Sequence, residues 1–180
     1  NSLNDPRIDF AFEILLFTGG QRKPGDYFAS LDSELELAGY TEQLFLLAEA
    51  RLRTSDNPGA ESALHDAITL SMNEISNGEI PQEEIDDYIS TNANLSGSFE
   101  DDLEIIIREK FIALFTTPEP WTDYRRTGYP NLEPNEGGVS GSNPNGEIPR
   151  RLIYPQTERL RNQNFPSVNP NMQDRFWWDQ

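Results

Sequence analysis

The sequence predicts an all-α fold of antiparallel helix pairs, closed by a long irregular C-terminal wrap. Two observations predict it. Four segments between Thr41 and Phe115 repeat apolar residues at helical spacing. Nine of the thirteen prolines then fall between Pro118 and Pro170, where that spacing is lost. The 180 residues, 36% hydrophobic and 25% charged, suffice for one real core or two very small ones.

Residues 1–39 give mixed signals. Phe10, Phe12 and Phe17 are apolar anchors, Gly19-Gly20 and Pro24-Gly25 break the chain, and Leu31 to Leu37 partly alternates with acids, so short strands or loops are expected. The helical part covers residues 40–116. Its first helix, Thr41 to Arg53, carries Leu44, Leu47, Ala48 and Leu52 with Glu42, Glu49, Arg51 and Arg53 between them. Asn57 is placed to cap the second helix, with Pro58 at its first position. Ala60, Ala63, Leu64, Ala67, Ile68, Met72 and Ile75 mark its face, and Asn77-Gly78 stops it. Helices joined by so short a turn form an antiparallel hairpin, and Ala48, Ala63 and Ala67 let them approach closely, as in helical repeats of the tetratricopeptide type.

Pro81 to Thr91 reads as a shorter helix, with Ile85 and Ile89 beside Glu83, Glu84, Asp86 and Asp87 on an acidic exposed side. Ser98 is expected to cap a fourth, whose first turn, Glu100-Asp-Asp102, complements the positive end of the helix dipole. Leu103, Ile105, Ile106, Ile107, Phe111, Ile112, Leu114 and Phe115 surround that helix almost completely, which places it at the centre of the core. Across residues 117–180 no regular element of any length is expected. Trp121, Tyr124, Tyr129, Tyr154, Phe165, Phe176, Trp177 and Trp178 are nevertheless too many aromatics for a solvated tail, so the segment reads as an ordered wrap. Residues 133–146, rich in Asn, Gly, Ser and Pro, read as a mobile loop within it.

Fourteen Lys and Arg against 31 Asp and Glu give a net charge of -17. Residues 1–104 hold 5 bases and 22 acids, which is the whole of that charge, while residues 105–180 hold 9 of each. Such a chain repels a phosphate backbone, so nucleic acid is not expected as a partner. Twelve of the fourteen bases are Arg, a bias towards side chains that pair bidentately and stack on rings. Without cysteine there is no disulfide framework, thiolate metal site or cysteine nucleophile. No run of eighteen or so apolar residues would cross a bilayer, and Asn1 to Phe10 has no basic stretch leading into an apolar one. The opening Asn-Ser-Leu-Asn-Asp-Pro, without methionine, reads as a mature product, an excised domain or a fragment.

Trp121-Thr-Asp-Tyr-Arg-Arg-Thr-Gly-Tyr-Pro130, then Ile148-Pro-Arg-Arg-Leu-Ile-Tyr-Pro155, Glu158, Asn162 and the closing Trp177-Trp178-Asp179 strongly resemble the C-terminal part of SusD/RagB-like proteins. Asn4-Asp-Pro-Arg7, the helix from Tyr40 to Ala50 and Ile106-Ile-Arg-Glu-Lys-Phe111 match in type and order upstream. The resemblance implies an all-α fold with tetratricopeptide-like helix pairs. It implies a surface-exposed outer-membrane lipoprotein of Bacteroidetes-type bacteria, which binds nutrient glycans beside a SusC-like TonB-dependent transporter. The membrane would be met only through a lipid anchor outside this chain. The resemblance covers the C-terminal part of such a protein, and implies no enzyme and no cofactor.

Glycan hydrolysis needs two carboxylates at a defined separation, one with a raised pKa. The 31 acids here sit in no recognisable glycosidase setting and read as solvated charge, so no catalytic residue is assigned. His65, the only histidine, has no second His or Cys near it and reads as structural or exposed. Glu100-Asp-Asp102 lacks the spacing of a calcium loop, so no metal site is assigned either. Trp121, Asp123, Tyr124, Arg126 and Tyr129 have two readings. Rings that stack on sugars and polar groups that bond hydroxyls suit a glycan site. An Arg held against Asp and stacked on a ring, Arg125 and Arg126 included, suits a structural knot equally well. Arg150, Arg151 and Glu158 read as docking the tail, and Trp177 and Trp178 as anchors closing it. Helix pairs also serve as protein-docking surfaces, so a module that meets the transporter without touching glycan is the alternative function.

Overall fold

The computed structural model of the chain describes residues 3–15, 21–33, 38–134, 143, 146–165 and 171–179. These divide into two compact units, Asn1–Pro120 and Trp121–Gln180. The fold is mainly helical, with a single two-stranded ribbon among the described residues.

The first unit opens with α1 (Ile8–Ala11), strands β1 (Phe12–Leu15) and β2 (Gln21–Pro24), and α2 (Asp26–Ala29). The strands pair antiparallel, Phe12 opposite Pro24 and Leu15 opposite Gln21. The rings of Phe12 and Phe28 meet Phe115 edge-on at 5.3 and 6.0 Å. Short strands are thus present, together with two one-turn helices that the pattern did not announce. The anchor Phe17 and much of the alternation from Leu31 to Leu37 lie outside the described residues.

Helices α3 (Tyr40–Arg53) and α4 (Asn57–Ser76) form the antiparallel hairpin, against which α5 (Gln82–Asn92) and α6 (Phe99–Ala113) pack. Ala48, Ala60, Ala63 and Ala67 are wholly or nearly wholly buried, so the two backbones approach as the small residues require. The inner face of α3 differs from the expected one. Phe45 is completely buried, whereas Leu47 is 40% exposed. Two residues are about 200° apart around a helix, so only one of these two side chains can face the core. The larger ring takes that place, because it removes more apolar surface from water.

The cap of α4 also differs. Asp56, not Asn57, precedes the helix, and its carboxylate accepts the Gly59 N–H at 3.1 Å. A Cβ on Gly59 would run into that carboxylate, which is why the turn carries glycine there. Asn77 and Gly78 adopt left-handed φ angles of 52° and 76° and end α4. On α5 the buried pair is Ile85 and Tyr88 rather than Ile85 and Ile89, while Glu83, Glu84, Asp86 and Asp87 are exposed. Nor is α6 encircled by core. Leu103, Ile106 and Ile107 are buried, but Ile105, Phe111 and Ile112 are half-buried and Phe115 is 43% exposed. Ser98 makes no side-chain cap. The buried Asp102 of the first turn instead ties down the approach to the helix, accepting the N–H groups of Ser96 at 2.6 Å and Gly97 at 2.9 Å.

A buried polar cluster lies within the apolar interior of this unit. Arg7 (2% exposed) clasps Asp5 through Nε and Nη2 at 2.7–3.1 Å, and Nη2 reaches Glu109 Oε2 at 2.8 Å. Ser71 Oγ accepts from Nη1 at 3.4 Å, and Tyr88 OH lies 3.0 Å from both oxygens of the fully buried Glu109. Burial opposes the charge on Arg7, but its hydrogen bond to Asp5 and the charges of Glu109 and Asp5 outweigh this and raise its pKa. Burial, then the charge of Glu109, raises the Tyr88 pKa above the usual phenol range.

In the second unit two helices appear where none was expected: α7 (Glu119–Thr127), whose residues from Trp121 onward belong to it, and α8 (Gln156–Arg161). Two of the prolines read as breakers are helix starters. Pro120 stands in the first turn of α7 and Pro155 at the N-cap of α8, where a missing N–H breaks no helical bond. Most of residues 133–146 lie outside the described ones. Among the described residues no helix is long and apolar enough to cross a membrane.

Two outcomes are expected. Arg7→Ala should destabilise the chain by about 3–5 kcal/mol in urea unfolding, because it removes the buried cation that Asp5 and Glu109 share and leaves Glu109 only the part-exposed Arg108. In an alkaline absorbance titration, Tyr88 should resist ionisation until the chain unfolds, and Tyr88→Phe should remove that resistant component. Its raised native pKa means the contribution to stability is full below the ordinary phenol range and is lost as pH rises above it.

Candidate functional site

The candidate residues gather on α7 and the turn after it. Helical spacing puts Trp121, Tyr124 and Arg125 on one side, and Asp123, Arg126 and Thr127 on another. The Trp121 indole N–H donates to Pro149 O at 2.6 Å. The Arg125 guanidinium lies 3.8 Å from the Trp121 ring centre and 4.8 Å from that of Trp178. Burial and the nearby Arg150 lower the Arg125 pKa, against the opposing pull of Asp179. Arg150 covers the Tyr124 ring at 4.9 Å and forms an ion pair with the buried Asp179. Arg151 faces Tyr154 at 5.4 Å and Phe176 at 4.9 Å, and Phe176 stacks on Trp178 with ring planes 4° apart.

On the other side of α7, the buried Asp123 holds Arg126 at 2.6 Å, and Thr127 Oγ1 donates to Asp123 O at 2.7 Å. The Tyr129 N–H donates to that same hydroxyl at 3.1 Å. Trp121, Asp123, Tyr124 and Arg126 therefore share one helix, with Tyr129 tied to its end. The pairing and the stacking foreseen for one arginine are divided between two, since Arg126 takes the carboxylate and Arg125 takes the rings. Glu158, expected to help dock the tail, is instead exposed on α8 and bonded to Asn162.

The terminal tryptophans part company. Trp178 is half-buried in the arginine and aromatic stack, while Trp177 is 95% exposed. Only one of the two is an anchor. The partners Phe176 and Asp179 were not foreseen, because a contact over 29 residues of irregular chain leaves no periodic trace.

His65 Nε2 lies 3.0 Å from Ala93 O, a structural placement. The first unit also holds a cavity of about 290 Å³ lined by Ile8, Phe12, Phe28, Phe111 and Phe115 over Asp5 and Arg7. Its two charged groups are engaged with each other, so it offers a sugar little to hydrogen-bond.

A family described as SusD-like, starch-binding and associating with the outer membrane matches residues 20–155. The chain belongs to the SusD-like family. Its fold is similar to that of a SusD homolog from Bacteroides thetaiotaomicron, with a TM-score of 0.66 and 27% identity over 99% of this chain and 49% of that one. It is similar also to a SusD homolog from Bacteroides fragilis, with a TM-score of 0.63 and 30% identity over 79% of this chain and 35% of that one. The SusD-like chain thus spans between about a third and a half of those structures. None of the curated proteins matches it.

Because the Trp121 ring packs on Arg125 and its N–H is satisfied, Trp121→Ala should destabilise the protein by roughly 3 kcal/mol, as truncation of a packed aromatic does. Thermal melting checks this. An unchanged melt together with lost glycan binding would instead make Trp121 a ligand contact.

Proposed function

We propose that the chain captures starch-type glycan at the cell surface without catalysis, as part of a lipid-anchored outer-membrane receptor that works with a SusC-like TonB-dependent transporter. The observation that carries this reading is the family match across residues 20–155. The chemistry of the second unit supports it: aromatic rings and polar side chains are held together on short, well-anchored elements. Within the cluster we assign the half-buried Tyr129 to the glycan. Trp121, Asp123, Tyr124 and Arg126, engaged within the unit, hold it in place.

Isothermal calorimetry against maltoheptaose and a panel of other neutral and acidic oligosaccharides tests the reading. Saturable binding of maltoheptaose is expected, with no reducing ends released over hours. Absence of any glycan binding alongside co-purification with the transporter would favour the docking module instead, and release of reducing sugar would overturn the non-catalytic reading.

A further inference from the structure

We propose that Trp177 is a stacking platform for one pyranose ring of a neutral glycan, an inference that rests on the glycan-binding reading above. It is the most exposed aromatic ring among the described residues, at 95%. A bare indole leaves a large apolar face free to be buried against a ligand. The backbone that carries it is nevertheless fixed. The Asp179 N–H closes on Phe176 O at 3.1 Å, which makes Phe176 to Asp179 a four-residue turn with Trp177 at its second position.

Every other side chain of that turn is held. Phe176 lies against Arg151 and is stacked on Trp178, Trp178 packs on Arg125, and Asp179 pairs with Arg150. A ring left free on a turn clamped at the neighbouring positions is organised before any ligand arrives, so little ordering entropy is lost on contact. The negative face of an indole suits the polarised C–H face of a sugar ring. Two residues upstream Arg175 is exposed and, among the described residues, unpaired, and so available to bond a sugar hydroxyl.

Charge fits a neutral ligand. Of the nine bases and nine acids in residues 105–180, Arg108, Lys110, Glu109 and Glu119 precede Trp121, which leaves seven of each in the second unit and a net charge of zero. The unit therefore draws neither anions nor cations by its net charge, whereas the first unit, with the full -17, would repel an acidic glycan.

The test uses the 180-residue chain, maltoheptaose as probe, and the variants Trp177→Ala and Trp177→Phe. With 5-fluorotryptophan in place of the three tryptophans, the fluorine resonance missing from Trp177→Phe identifies Trp177. That resonance should move on adding maltoheptaose more than the other two. By calorimetry Trp177→Ala should bind roughly tenfold more weakly, about the worth of one stacked ring, and Trp177→Phe should keep most of the affinity. Thermal melting should be unchanged in both, since the side chain supports nothing else. If maltoheptaose binds but the Trp177 resonance stays still and Trp177→Ala binds equally well, the platform is overturned and the glycan-binding reading stands. If maltoheptaose neither binds nor moves any resonance, both are overturned.

Discussion

A buried guanidinium held between two carboxylates is the constraint on which the first unit depends. Glu109 is fully buried on α6, a position that would cost several kcal/mol if its charge faced only apolar neighbours. It is tolerated because Arg7, from the start of the chain, Tyr88, from α5, and the adjacent Arg108 bring their donors to its oxygens, while Ser71 of α4 accepts from Arg7. One cation thereby registers four segments against each other. Turning α6 by a single residue would swing Glu109 about 100° away from Arg7 and break the buried ion pair between them. Apolar packing alone is far less exacting, since neighbouring isoleucines can exchange places at small cost.

The second unit places its arginines differently. There Arg125, Arg150 and Arg151 lie against the faces of Trp121, Trp178, Tyr124, Tyr154 and Phe176, with Asp179 beside Arg150. A lysine could not do this, because its ammonium is a point charge, whereas a flat guanidinium packs against a ring while its edge still donates hydrogen bonds. All seven bases of this short, proline-rich unit are arginines, and three of them stand where an aliphatic core would. Such a core needs helices or strands to align its side chains, and α7 and α8 are too short to align many.

The helical part of this design was legible in the sequence because it is periodic. Ala48, Ala63 and Ala67 announced a close hairpin, and Asn77-Gly78 announced where it stops. What escaped was whatever depends on a choice between near-equals or on distance along the chain. Phe45 and Leu47 are both apolar, and only packing decides which one faces inward. Glu109 and Asp102 read as ordinary helix-surface acids, because nothing local reveals a partner 102 residues away or a loop folding back over the helix start. Pro120 and Pro155 broke the apparent pattern for a different reason. Proline ends a helix from within but suits its first turn, and the residues on its C-terminal side decide between the two. For the candidate site, residue types were legible and exposure was not. Trp177 and Trp178 are adjacent and identical in kind, yet one is packed and the other bare.

That last contrast bears on how binding and stability divide the same residue types. A ring that already stacks on arginines has little free face left, so the contacts that make Trp121 and Trp178 good anchors make them poor platforms. A ring with no contact at all on a slack segment would bind poorly as well, because ordering the segment would consume what stacking supplies. A platform has to be fixed through its neighbours and left free itself. In the turn from Phe176 to Asp179 the clamp and the bare ring alternate along the chain, so the dense packing of arginines and aromatics around Trp177 is what makes its exposure useful. On this view the structural and sugar-binding readings of the aromatic cluster are compatible, and they belong to different residues of it.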